Sequence, residues 1–352
     1  ALAALVLLVP AGFMRDRLPV PYEAWRASHL LLAVTAVGAG LHHAMTVGRF
    51  GATGPVHLGW WLVAGVIVAV VAILYGWRWA KLRRRPWTLK SNRKLADRTW
   101  ELDIQPAEGT PPLSYEAGQF VWMTSGRRRF PLFDHPFSIA DSPKRAGISL
   151  IIKEAGDYTN RIGSLKPGTP IGIDGPHGSF TIGREGPDAI VLIAGGVGIA
   201  PILGLLRDLV ARRDPRPVRL AYATGRPENL VCLDEIEQAR DVLDLQVMLL
   251  SEREGEDFDG VIGRLEDDNL KALLEGLDLG RTHAMMCGPG PMVTAVSDAL
   301  VDLGMPMNAV EYERFDYAGG MASRQDRRRL RNFLALGLAL AAAAVASAPL
   351  LS

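Results

Sequence analysis

Formal charge is distributed very unevenly along this chain, and that asymmetry limits the fold more than any single motif. Residues 1–80 carry only seven charged side chains: Arg15, Asp16, Arg17, Glu23, Arg26, Arg49 and Arg78. Residues 332–352 carry none, while residues 81–331 have a soluble character. A bilayer core of about 30 Å is crossed by about 20 apolar residues in a helix. Segments 27–48 and 57–77 lack formal charge and are long enough to cross. Residues 333–351, rich in Ala and Leu, are a third candidate. Residues 1–13 are apolar but short, and Pro10 interrupts them. They read as the tail of a helix that begins upstream, in a chain truncated or processed at its N-terminus. The whole reads as a membrane protein with a large water-soluble middle.

Basic residues set the expected orientation, because they concentrate on the cytoplasmic side. Lys81, Arg83, Arg84 and Arg85 follow the second span, and Arg327, Arg328, Arg329 and Arg331 precede the third. Arg15 and Arg17 precede the first. The expectation is a multi-pass protein of the cell membrane, in contact with lipid, with its soluble middle in the cytoplasm. Lys plus Arg is 39 and Asp plus Glu is 38. That balance gives no support to nucleic-acid binding by bulk positive charge. The two cysteines, Cys232 and Cys287, exclude a disulfide scaffold and a cysteine-rich zinc or iron–sulfur site.

The first span contains His29, His42 and His43. Ionisable residues at membrane depth are costly and mark functional sites. At 1.5 Å per residue, the pair lies about 20 Å along the helix from His29. A step of fourteen residues returns to within roughly 40° of the same face, whereas thirteen lands about 140° away. Straight-helix geometry therefore pairs His29 with His43. Imidazole ligates haem iron, and Gly38 and Gly40 leave room beside the helix for a flat macrocycle.

In the soluble middle, residues 98–104 alternate like a strand. Segments 118–124, 137–140, 148–153 and 169–174 are further short strands between Gly and Pro clusters. This rhythm predicts a small antiparallel β-barrel. From about Asp188 the pattern changes. Residues 189–194 form a continuous apolar run, as in a buried parallel strand. Strands at 219–223, 244–250 and 283–287 and a helix at 291–303 complete a doubly wound α/β domain. The expected plan is a partial transmembrane domain at 1–80, a β-barrel at 86–184, an α/β domain at 187–318 and a transmembrane helix at 332–351. Between the first parallel strand and its helix stands Gly195-Gly196-Val197-Gly198-Ile199-Ala200-Pro201. A glycine turn at a helix N-terminus suits a pyrophosphate. Its G-x-G-x-x-P pattern departs from the usual G-x-G-x-x-G fingerprint.

That turn is one of six motifs in order. His135-Pro136-Phe137-Ser138 comes first. Lys153 with Gly156-Asp157-Tyr158-Thr159 follows, then Gly175-Pro176-His177-Gly178, the glycine turn, Cys287-Gly288-Pro289-Gly290-Pro291, and Glu313-Arg314-Phe315. In this order the sequence resembles the ferredoxin-reductase-like flavoenzymes, specifically the membrane ferric reductase and NADPH oxidase group. The resemblance implies FAD in the barrel and a nicotinamide nucleotide on the α/β domain. It implies that His135, Pro136, Phe137 and Ser138 line the flavin, with the Ser138 hydroxyl near the hydride-accepting nitrogen. Lys153, Gly156, Tyr158 and Thr159 would hold the ribityl and pyrophosphate. Gly195, Gly196, Gly198, Pro201, Gly288 and Pro289 would hold the nucleotide. Cys287 would lie near the nicotinamide, and Glu313 and Phe315 would close the site. The family's usual G-P-Y-G is altered here by His177, and the chain continues past the usual terminal aromatic through Gly319-Gly320. The Trp25–His29 segment also resembles the group's haem-bearing helix. The family spacing admits His42 where helix geometry prefers His43, so both stay open as ligands of haem b.

Arg226 and Arg253 each follow a parallel strand and could hold a 2′-phosphate, which favours NADPH. No acidic residue ends the first of these strands, as one would for a ribose hydroxyl. Glu252 beside Arg253 weakens that case and keeps NADH open. The reading is a membrane flavoprotein oxidoreductase that carries electrons from NADPH through FAD, and haem in the complete protein, to a small-molecule acceptor: a ferric chelate or dioxygen. Two bis-histidine haems need ligands from two helices, and one helix carries histidines at both depths; His57, at the outer end of the next span, cannot serve an inner haem. The alternatives are a membrane-tethered flavin reductase without haem, serving a redox partner protein, and a non-catalytic interaction subunit.

Overall fold

The computed structural model describes residues 2–13, 20, 22–46, 54–84, 86–126, 130–183, 186–316, 324–328, 331–332, 335 and 338–339. The expected C-terminal span at 332–351, apart from isolated positions, lies outside them. Helix α1 (Leu2–Phe13) packs on α2 (Tyr22–Thr46), where the Trp25 indole N–H donates to the Ala11 carbonyl at 2.9 Å. Helix α3 (Gly54–Val71) continues through a π-helical turn, Ala72–Trp77, into α4 (Arg78–Arg84). Two stretches, Glu23–Thr46 and Gly54–Arg84, are long and apolar enough to cross a membrane, by length and composition. Leu31, Val66 and Val68 on them point outward and are exposed. This inverts the pattern of a soluble helix, which buries its apolar stripe.

Six antiparallel strands follow: β1 (Trp87–Ala96), β2 (Thr99–Pro106), β3 (Phe120–Ser125), β4 (His135–Ser138), β5 (Ile148–Lys153) and β6 (Pro170–His177). Their spatial order is β4-β3-β6-β1-β2-β5. A bridge between Ile139 and Leu150 joins the continuation of β4 to β5 and closes the sheet into a barrel. Leu102, Ile104, Val121, Met123, Ile148 and Leu150 fill its interior. Strand β1 has no counterpart in the sequence reading. Only Trp87 and Leu89 of it are buried, and Lys90, Arg93 and Lys94 break the apolar alternation. Pairing with β2 makes it a strand.

The second sheet is parallel throughout: β7 (Ala189–Gly195), β8 (Val218–Thr224), β9 (Leu245–Ser251), β10 (Val261–Ile262), β11 (Thr282–Pro289) and β12 (Val310–Asp316). Helices α5 (Ile199–Arg212), α6 (Leu233–Gln238), α7 (Asp267–Leu274) and α8 (Gly290–Asp302) connect it. Every residue of β7 is buried, because both faces of the central strand are covered. The order β10-β9-β8-β7-β11-β12 reverses at β7, with β8 on one side and β11 on the other. Ligands of open α/β sheets bind beyond the carboxyl ends of strands at such a switch point. Ala117, Ala140, Ile151 and Phe180 of the barrel region share one core cluster with β7 and α5, so the two sheets are packed together.

Candidate active site

The switch point opens onto a cavity of about 650 Å³ between the two sheets. This lies within the range of roughly 300–1,000 Å³ for small-molecule sites. The barrel contributes Phe120 and Trp122 from β3, Pro136, Phe137 and Ser138 from β4, and Lys153 at the end of β5. The α/β sheet contributes Val197 and Ala200 from the glycine turn and Tyr312, Glu313, Arg314 and Phe315 from β12. Residues far apart in sequence thus converge because β4 and β12 end on the same side.

Two glycines shape the nucleotide end. Gly196 has φ +55, a left-handed conformation that glycine adopts without strain, and a Cβ there would meet nothing within 4 Å. Its backbone therefore faces open space at the start of α5. At Gly198 a Cβ would lie 2.0 Å from the Cys287 carbonyl oxygen, so the turn rests directly on β11. Gly195 and Gly288 touch where the two strands separate. Pro201 is buried in the first turn of α5, where its missing N–H costs no helical bond.

Glu313 and Phe315 line the cavity, and Phe315 is 42% exposed. Burial pushes the Glu313 carboxyl up to about 7. Cys287 is placed differently from its expected catalytic position. Its side chain is fully buried in the core under α5 and does not line the cavity. The thiol is packed in that core, and the Cys287 carbonyl lies against the glycine turn at Gly198. Burial, and then Glu313 opposite it in the β11–β12 register, push this thiol well above its ordinary range.

On the barrel side, the Tyr158 ring stacks on His135 at 3.9 Å and on Phe137 at 6.2 Å, and its hydroxyl bonds Ser125 at 3.2 Å. Burial pushes the Tyr158 hydroxyl up to about 12. Burial also lowers the His135 imidazole below its usual range, against the pull of Glu23. Thr159 is committed locally: its hydroxyl accepts from the Ala155 and Gly156 amides at 2.8 and 2.9 Å. Gly156 itself faces open space. His177 packs on Phe120, with ring centroids 5.6 Å apart, and so fills the position where the family pattern has tyrosine.

Arg226 and Arg253 stand outside the cavity, in the turns after β8 and β9. Thr224 donates to the Arg226 carbonyl and Ser251 to the Arg253 carbonyl, both at 2.7 Å. Thr224 and Ser251 are register partners, so the two turns are held alike, side by side. The Arg226 guanidinium is 55% exposed and lies 3.7 Å from Glu228.

Arg314 entered the sequence reading only inside the Glu313-Arg314-Phe315 motif, and Phe120, Trp122 and Tyr312 escaped it. So did Asp326, which lines the cavity and accepts from the Tyr312 hydroxyl and from Arg314, both at 2.7 Å. Aromatic residues in short strands look like core, and Asp326 reaches the site only through tertiary contacts.

The donor set and walls fit a flavin beside a nicotinamide: flat apolar surfaces, a buried hydroxyl at Ser138 and open backbone at Gly196. Among the described residues, the histidines of α2 are not brought together with a second imidazole that could share a haem with them. His42 and His43 are exposed. His29 is partly buried against Trp25 and Gly12, and α1, which packs there, carries no histidine. His57 accepts from Trp61 at the far end of the hairpin. Among the described residues no group of three or more His, Cys, Asp or Glu is placed to hold a metal.

Comparison with known proteins agrees with the flavin–nicotinamide geometry. A family model described as an FAD-binding domain matches residues 88–187, and one described as an oxidoreductase NAD-binding domain matches residues 192–298. The chain thus carries the two domains of the ferredoxin-reductase-like oxidoreductases. More narrowly, the pair is that of an oxidoreductase that binds FAD and a nicotinamide nucleotide. It is 33% identical over 187 residues to the reductase component of propane 2-monooxygenase from Rhodococcus jostii (strain RHA1), covering 51% of this chain and 50% of that protein. It is 23% identical over 250 residues to the flavohemoprotein of Bacillus subtilis (strain 168), covering 68% of this chain and 60% of that one. The ferredoxin reductase in carbazole 1,9a-dioxygenase shares the fold, with a TM-score of 0.57 at 21% identity over 66% of this chain and 69% of that one. The chain spans about half to 60% of the length of the curated relatives named here.

Proposed function

We propose that this chain is a membrane-anchored reductase that takes hydride from NADPH and delivers electrons to a redox partner protein. The observation that carries the reading is a cavity walled jointly by the HPFS strand of the barrel and by β12 of the nucleotide sheet. Bound FAD supplies the step from two-electron hydride acceptance to one-electron delivery. The protein supplies position. The open turn at Gly196 and the N-terminus of α5 receive the nucleotide pyrophosphate. Ser138, at the end of β4, presents a hydroxyl to the flavin. Phe315 covers the cavity mouth and shields it from water. Glu313, protonated below about 7, holds a proton beside the nicotinamide end. Arg226 and Arg253 favour a 2′-phosphate over a bare ribose.

The anchoring is part of the proposal. The ends of α2 and α4 that meet the barrel carry Arg26, Arg78, Lys81, Arg83 and Arg84, which favours a cytoplasmic reductase. Delivery to a protein is favoured over a transmembrane haem relay, because α2 gives only one partly buried imidazole near the barrel. The half-length match to a named reductase component supports the same direction. The test uses purified full chain loaded with FAD under anaerobic conditions. NADPH should bleach the flavin absorbance, and a one-electron acceptor protein such as cytochrome c should restore it. Bound FAD that neither NADPH nor NADH reduces would overturn the reading. Faster reoxidation by a ferric chelate or dioxygen than by any protein acceptor would return the small-molecule acceptors to first place.

A further inference from the structure

The helices meet the barrel through a chain of charges that hydride transfer does not use. Asp134, immediately before β4, accepts from Arg26 of α2 at 2.5 Å and from Arg78 of α4 at 2.9 Å. Asp174, in β6, accepts from Arg78 at 2.8 Å and from Lys81 at 3.1 Å. The order is Arg26, Asp134, Arg78, Asp174, Lys81, with Arg78 bridging the two carboxylates. The Asp134 side chain is 2% exposed, so it is no solvated surface acid. A buried carboxylate persists only when paired and hydrogen-bonded. Burial disfavours the Asp174 charge, yet Arg78 and Lys81 outweigh it and hold that carboxyl below its usual range.

The placement of these acids gives the chain its meaning. Asp134 is covalently joined to the strand that carries His135, Phe137 and Ser138. Asp174 opens the Gly175-Pro176-His177-Gly178 segment. Arg26 also lies over the Trp122 ring at 5.8 Å, and Trp122 walls the cavity. Glu23 faces His135 at 3.5 Å, and Tyr75 stacks on Phe130 at 6.2 Å. The junction with the helices and the β3–β4 wall of the cavity are therefore one continuous structure.

We propose that Asp134 and Asp174 are positioning residues: through Arg26, Arg78 and Lys81 they clamp the β3–β4 wall of the cavity against the base of α2 and α4 in one orientation. That orientation sets the side from which an acceptor reaches the flavin, and this consequence rests on the reading of the cavity given above. The guanidinium of Arg78 can address two carboxylates at once, which a single ammonium does poorly. Arg78→Lys is therefore not conservative at this position.

The test is a distance measurement on the full chain in phosphatidylcholine–phosphatidylglycerol nanodiscs. Nitroxide labels are placed at Val70 on α3 and Glu108 on the barrel, both exposed, in a Cys232→Ser background. The parent should show one narrow distance distribution by pulsed electron–electron resonance. Arg26→Ala with Arg78→Ala should broaden it or add a second population. Arg78→Lys should fall between the two, and Arg83→Ala, outside the chain of charges, should leave it unchanged. If the double variant does not fold, Asp134→Asn with Asp174→Asn removes the charge at nearly constant shape and is read in the same way. A distribution as narrow as the parent's in a folded variant lacking the charges overturns the clamp. Anaerobic flavin bleaching by NADPH is followed in the same samples to show that the flavin site is loaded in the parent and in each folded variant. Failure to bleach in the parent would strike the flavin-site reading, while the distances would still decide the clamp.

Discussion

Glu313 is a carboxyl that burial keeps protonated well above its ordinary range. The folded chain binds a proton there between about 4.5 and about 7, where the unfolded chain does not. Excess protons on the folded state mean that stability falls as pH rises through that window and levels off above it. Glu313→Gln should remove this component. The melting temperature of the variant minus that of the parent should grow from pH 5 to pH 8. Parallel pH profiles would show that Glu313 is not the titrating group. Arg226 carries a separate expectation. A charge-assisted contact to a 2′-phosphate is worth about 1.5–3 kcal/mol, or roughly 10–150-fold in affinity. Arg226→Ala should raise KM for NADPH by such a factor and leave KM for NADH nearly unchanged. Steady-state kinetics with both nucleotides decide it, and equal effects would mean that Arg226 does not read the phosphate.

At the scale of elements, α5 ties the two sheets together. Its Arg207 donates to the Ala140 carbonyl beyond β4, to Glu101 of β2 at 3.2 Å, and to Glu235 of α6 at 2.6 and 2.7 Å. Breaking a buried pair by removing one partner costs about 3–5 kcal/mol. Glu235 is 42% exposed, which lowers the expectation for Arg207→Met to roughly 2–4 kcal/mol. Chemical denaturation of parent and variant measures it, and a loss below about 1 kcal/mol would reduce Arg207 to an ordinary surface cation. The same element explains why the nucleotide turn is placed so closely. The start of α5 rests on β11 through Gly198, while its middle rests on the barrel through Gly204, where a Cβ would lie 2.5 Å from the Ile139 carbonyl.

For the whole molecule, the two sheets share a core cluster, whereas α2 and α3 leave their apolar faces uncovered. This division predicts two behaviours. Residues 87–316 alone should stay in the supernatant after ultracentrifugation and bind FAD. The full chain should require detergent. A full chain that remains soluble without detergent would remove the membrane anchor from the proposal, and an insoluble 87–316 segment would show that the helices complete the barrel.

The sequence by itself determined the segregation of apolar and soluble segments, the continuous run of β7, the glycine turn and the order of the six motifs. These are local properties: hydrophobic periodicity, turn chemistry and short fixed spacings are carried by neighbouring residues. Even there it missed β1 and β12, whose charged residues hide the alternation that pairing imposes. Tertiary structure alone decided which charges are paired. Arg26 and Asp134 are 108 residues apart, and Arg207 and Glu101 are 106 apart. In the sequence each resembles a solvated side chain, because nothing local tells a paired, buried charge from an exposed one. Tertiary structure also turned the Cys287 thiol into the core, brought Trp122 and Asp326 to the cavity, and left His42 and His43 exposed on α2. Those outcomes depend on which faces of distant elements meet, and that information appears only when the chain closes on itself.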